Sequence, residues 1–119
     1  MIETEVFDLP YEKVPPYGQF YGLHIHETGD CTLPFDKTGS HYNPGSLPHP
    51  EHAGDLPPLL GNEGYAYSVV YTDRVELPEI IERSLIIHSA PDDFTTQPSG
   101  NSGVKIGCGV ITEKIPFFH

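Results

Sequence analysis

The chain has 119 residues, enough for one domain and one core but not two. With 17 acidic and 6 basic residues its net charge is −11, which excludes nucleic acid and anionic membrane surfaces as natural partners. No apolar run is long enough to span a membrane, and 12 Gly with 13 Pro argue for turns and long loops rather than helices.

In chain order, Met1 is followed by an acidic rather than a basic stretch, so no secretory signal is expected. Met1 to Leu9 alternates, with Ile2, Thr4 and Val6 against Glu3, Glu5 and Phe7, and is predicted as a strand. Prolines 10, 15 and 16 mark the connection to a second strand, Tyr17 to Glu27. From Thr32 to Leu60 no period is visible and prolines recur at 34, 44, 48, 50, 57 and 58. A connection of that length is usually functional or disordered unless something ties it down. Tyr65 to Tyr71, aromatic and β-branched, is a third strand. Arg74 to Leu77 is expected as a short fourth strand, Glu79 to Arg83 as one helical turn, and Ser84 to His88 as a fifth strand. Ser89 to Gly103 is a second loop, and Lys105 to Thr112 a sixth strand. The sum is an antiparallel all-β domain over residues 1–119, carrying two long loops.

Histidine is the outlier. Six of the seven His fall between Leu23 and Ser89, in a chain poor in Lys and Arg, which points to metal binding. His24 and His26 stand two apart on a strand, so both rings face one side while Leu23 and Ile25 face the other. The long loop can cover those imidazoles and brings His41, His49, His52 and Asp55; His88 ends another strand within reach. Four His without thiolate suit copper, and three His with one Asp suit zinc. Cys31 and Cys108 alone leave two readings, a pair of buried thiols or one long-range disulfide.

These segments resemble the copper,zinc superoxide dismutase family. Gly22-Leu-His-Ile-His-Glu27 is similar to its first copper motif, and Gly39-Ser-His-Tyr-Asn-Pro44 to the segment with the bridging His. His49 with His52-Ala-Gly-Asp-Leu56 is similar to its zinc segment, Ser84-Leu-Ile-Ile-His88 to the strand with the last copper ligand, and Gly100 to Ile111 to its C-terminal signature. The resemblance implies copper on His24, His26, His41 and His88. It implies zinc on His41, His49, His52 and Asp55, with His41 shared. It also implies Asp92 as a link between His24 and His49, a Cys31–Cys108 disulfide, and a ping-pong dismutation of superoxide in which His41 moves a proton.

Two departures from the family stand out. Lys105 occupies the place of an Arg that docks the anion; it keeps the charge but loses the planar fork. The segment before His24 is short for the family, which implies an immunoglobulin-like Greek-key barrel lacking its first two strands, with about six remaining. An opened barrel exposes a sheet edge and apolar surface, so a homodimer or higher oligomer is expected, with Ile115 to His119 as one candidate contact. The cysteine pair favours an oxidising, extracytoplasmic compartment.

Overall fold

A computed structural model describes residues 1–12 and 19–114. The N-terminal alternation forms β1, Ile2–Val6, with Ile2 and Thr4 buried and Glu3 and Glu5 exposed. It pairs antiparallel with β5, Ala66–Val70, placing Ile2 opposite Val70 and Val6 opposite Ala66. On the outer face the strands are also joined through side chains: Tyr65 Oη donates to Glu5 at 2.7 Å, and Tyr67 Oη donates to Glu3.

The expected second strand is two strands. β2, Phe20–Tyr21, pairs with β4, Leu59–Leu60, whereas β3, Leu23–His26, pairs with β6, Ser84–His88. The chain changes sheets at Gly22. There its N–H donates to Ala90 O and its carbonyl accepts from His88 N, and a Cβ would press on Ser102 Oγ at 2.8 Å. Tyr17 and Gly18, the start of the expected strand, lie outside the described residues.

Three other expectations are corrected. Leu59–Leu60 is a strand inside the segment that had shown no pattern. Arg74 to Leu77 is not a strand. The helical turn, α1, is Leu77–Ile80 rather than Glu79 to Arg83, because Glu76 and Glu79 cap each other's backbone around it and Pro78 lies in its first turn. β7, Lys105–Val110, completes seven strands among the described residues, where about six were expected. They form sheets of two, two and three strands (β1–β5, β2–β4 and β3–β6–β7), which do not join into a closed barrel among the described residues.

The core gathers Tyr21, Leu23, Ile25, Leu56, Leu59, Ala66 and Ile80 among others, where removal from water is the main stabilising term. Tyr21 closes one side and donates from its hydroxyl to Pro10 O. Cys31 and Cys108 form a disulfide with Cα atoms 5.7 Å apart, joining the start of the long loop to the middle of β7. No helix of the described residues is long and apolar enough to cross a membrane.

Candidate metal centre

β3 holds the centre of the site. Leu23 and Ile25 point into the core, and His24 and His26 point to the other face, yet all four are buried. The cover is the long loop, which zips onto the free edge of β3: Ile25 N donates to Gly54 O, and Tyr42 N donates to Ile25 O. His24 thereby lies opposite Asp55, and His26 opposite His41. Gly54 permits this approach, since a Cβ there would run into the Ile25 backbone. β6 delivers His88 from the other side, in register with β3.

Six histidines and Asp55 form one continuous buried cluster. The ligand atoms of His24, His26, His41 and His88 lie within 4.8 Å of one another, as do those of His24, His41, His49 and Asp55. The expected division gave His24 to the first group only and His52 to the second. His52 nonetheless sits at the same centre, with its Nδ1 3.3 Å from His41 Nδ1 and 3.2 Å from Asp55 Oδ2. Around Asp55 the remaining spacings are 2.8 Å to His41 Nδ1 and 3.1 Å to His49 Nδ1. A tetrahedral zinc with N and O ligands needs about 3.3 Å between donors, and the four spacings above, 2.8 to 3.3 Å, are compatible with that ion.

The hydrogen bonds of the rings sort their nitrogens into two kinds. His24 Nε2 and His49 Nε2 each lie 2.8 Å from a different oxygen of Asp92. His26 Nδ1 donates to Gly39 O at 2.9 Å, and His88 Nδ1 to Gly103 O at 3.4 Å. Left over are His24 Nδ1, His41 Nε2 and His49 Nδ1, all buried without a hydrogen-bond partner, and the Nε2 atoms of His26 and His88 at 3.2 Å from each other. Buried polar atoms are rarely left unpaired. Rings whose outer nitrogen is tied and whose inner nitrogen is bare match the pattern of metal-binding imidazoles. The nitrogen-only quartet suits copper.

Electrostatics agree. Burial is the largest cause holding the His24, His26 and His88 rings neutral, and neighbouring His41 adds to it; His26 is lowered to about 3 and His88 to about 4. For Asp55 burial pushes the carboxyl up, but the hydrogen bond from His41 and the charges of His41, His49 and His52 outweigh it and the net shift is down. The His24, His26 and His88 rings are therefore held as neutral imidazoles and Asp55 as a carboxylate, the forms that bind metal.

Lys105 opens β7, and its charge is felt at both His26 and His88. Its ammonium is occupied: Nζ donates to Thr38 Oγ1 at 2.9 Å, to Gly39 O at 2.8 Å and to Phe35 O at 3.4 Å. Burial lowers its pKa, while Asp36 and Glu27 oppose the shift. Several further residues have roles at the site that their residue types do not announce. The Gly39 carbonyl accepts from both His26 and Lys105. The Gln97 amide brackets His49, donating to its carbonyl at 2.7 Å and accepting from its N–H at 2.9 Å. Gly100, at φ +76°, passes so close to Asp92 and His49 that a Cβ would collide with both. Gly100 is the one of these that a sequence could flag, through the turn-rich Ser-Gly-Asn-Ser-Gly run.

Comparison with known proteins gives a consistent result. The family model described as copper/zinc superoxide dismutase matches residues 4–111. A superoxide dismutase [Cu-Zn] of Deinococcus radiodurans is 36% identical over 113 residues, 76% of this chain and 62% of that protein. Superoxide dismutase [Cu-Zn] 2 of Aquifex aeolicus is 35% identical over 130 residues, 93% of this chain and 75% of that one. The chain thus spans between three-fifths and three-quarters of the length of these relatives. A crystal structure of a SOD-like protein from Bacillus subtilis superposes with a TM-score of 0.76 at 32% identity, over 92% of this chain and 80% of that one.

Proposed function

Because the chain belongs to the copper/zinc superoxide dismutase family, we propose that it dismutates superoxide to dioxygen and hydrogen peroxide at a His-bridged copper–zinc centre. The observation that carries this reading is the set of buried ring nitrogens without a hydrogen-bond partner, His24 Nδ1, His41 Nε2 and His49 Nδ1, in a cluster where His24, His26, His49 and His88 are each tied through the other nitrogen. His24, His26, His41 and His88 would hold copper, and His41, His49, His52 and Asp55 would hold zinc. When bound, copper supplies the one-electron exchange with superoxide.

The chain's own residues do the rest. His41 Nδ1 is turned to Asp55 and His52, which leaves Nε2 for the quartet and lets one ring serve both groups. Nε2 is also the atom able to hold a proton beside the peroxide product. Asp92 fixes the His24 and His49 rings by one oxygen each. Lys105 contributes a fixed positive charge that draws the anion toward the His26–His88 side of a chain otherwise at −11. We read the whole of residues 1–119 as one Greek-key domain. Self-association remains the expected state, because β1 and β7 each pair on one side only among the described residues. The expected contact through Ile115 to His119 lies outside the described residues.

A second reading, a copper- and zinc-holding protein of the same fold without turnover, is favoured by one observation. The Lys105 donors are spent on residues 35–39 rather than left for an anion. Elemental analysis and a steady-state dismutation assay on the reconstituted protein separate the readings. One copper and one zinc per chain with dismutation supports the enzyme. Both metals without dismutation supports the second reading, and a single metal equivalent refutes the bridged centre.

A further inference from the structure

Arg74 stands in the turn after β5, remote in sequence from every histidine, yet its guanidinium reaches the zinc half of the site. Nη1 donates to Pro50 O at 2.7 Å and to His52 O at 3.1 Å. Those carbonyls lie on the short segment that carries His49 at one end and His52 at the other. The His52 carbonyl also accepts from Asp55 N at 3.1 Å, closing the turn that aims the Asp55 carboxylate back at the His52 backbone. Arg74 therefore grips, from outside, the stretch of backbone that sets the spacing of three of the four zinc-type donors.

Beside it is a cleft of about 540 Å³, walled by Pro50, Leu56, Val70 and Phe94 and reached by both Asp55 and Asp92. Those two carboxylates are nearly sealed, with side chains 4% and 1% exposed. The cleft brings solvent close to both carboxylates, and neither His26 nor His88 lines it. Opening the 50–52 segment toward it would separate His49 from His52 and expose Asp55.

We propose that Arg74 is a latch on the His49–His52 segment, a positioning residue that sets how slowly zinc leaves through this cleft. The inference rests on the zinc reading above. A planar, permanently charged guanidinium suits the task, since it can serve two carbonyls at once without losing its charge. Both bonds come from Nη1, and a lysine keeps the charge and the donors but ends one atom short of that nitrogen.

The test uses the full chain loaded with zinc alone and mixed with excess chromogenic chelator, so that release is read directly and no catalytic assay enters. Outer partners of metal ligands change metal binding by roughly 10- to 100-fold. Arg74→Ala is expected to release zinc on the order of ten-fold faster, with Arg74→Lys between it and the wild type. Urea midpoints of the metal-free proteins are measured alongside. A purely structural role lowers those midpoints without ordering the release rates as wild type, Lys, Ala. If the wild type binds zinc and both variants release it at the wild-type rate, the latch is wrong and the zinc reading survives. A wild type that takes up no zinc overturns both.

Discussion

Replacing both halves of the disulfide, as Cys31→Ser with Cys108→Ser, removes a crosslink between residues 77 apart. In the chain-entropy treatment a closed loop of that size restricts the unfolded state by about 15 cal/mol/K, or about 4.5 kcal/mol at 25 °C. Domains of this size are stable by only about 5–15 kcal/mol in total, so the loss is a large fraction. Nothing in the native contacts needs to change, because the effect acts through the unfolded chain. Urea unfolding of the metal-free protein, in chelator at neutral pH, isolates the crosslink from the metal site. With a slope of about 2 kcal/mol/M, the midpoint should fall by roughly 2 M, or the variant should be unfolded in buffer. A midpoint within a few tenths of a molar of the parent, at equal slope, would refute the loop-closure reasoning.

Two further outcomes follow from the site. The buried rings of His26, at about 3, and His88, at about 4, stay neutral where the unfolded chain, near 6.5, takes up protons, and His24 is lowered further still. Their contribution to stability is thus complete above pH 6.5 and is lost as pH falls toward 4. With three such rings the slope reaches about 4 kcal/mol per pH unit, so the metal-free urea midpoint should drop steeply below pH 6.5, and a flat profile to pH 4.5 refutes it. Lys105→Ala should lower the dismutation rate and flatten its salt dependence while copper content holds, since His26 keeps its own bond to Gly39 O. Full activity of that variant at low salt would remove Lys105 from substrate attraction.

Side-chain chemistry along the chain was legible from sequence, whereas much of the backbone geometry was not. The alternation of Ile2 to Val6 declares its strand and its buried face, because period and burial coincide there, and that of Leu23 to His26 declares the strand and its two faces although the loop buries both. Leu59–Leu60 gives no such signal: two residues after Pro57-Pro58 carry no period, and only Phe20–Tyr21 across the sheet makes them a strand. Arg74 to Leu77 alternates like a strand. Its fate is decided by Glu76 and Glu79, whose reciprocal caps start a helical turn instead. At the site, histidines and carboxylates announce themselves by residue type. The Gly39 and Gly103 carbonyls that orient two of the rings are backbone atoms present at every position, and only the fold selects them. Lys105 was legible as a charge near the site but not as a donor already committed to three acceptors.

The change of sheet at Gly22 has a consequence for how the sequence can vary. Downstream of it, odd positions 23 and 25 feed the core, and even positions 24 and 26 feed the histidine cluster. Side chains on a strand repeat every two residues, so both sets are read in a single frame that begins at this glycine. Gain or loss of one residue here would put imidazoles among Tyr21, Leu56 and Leu59, and leucine and isoleucine beside Asp55 and His41. Packing and chemistry would fail in the same step. Selection for a stable core therefore also guards the histidine cluster against any one-residue insertion or deletion between Gly22 and His26.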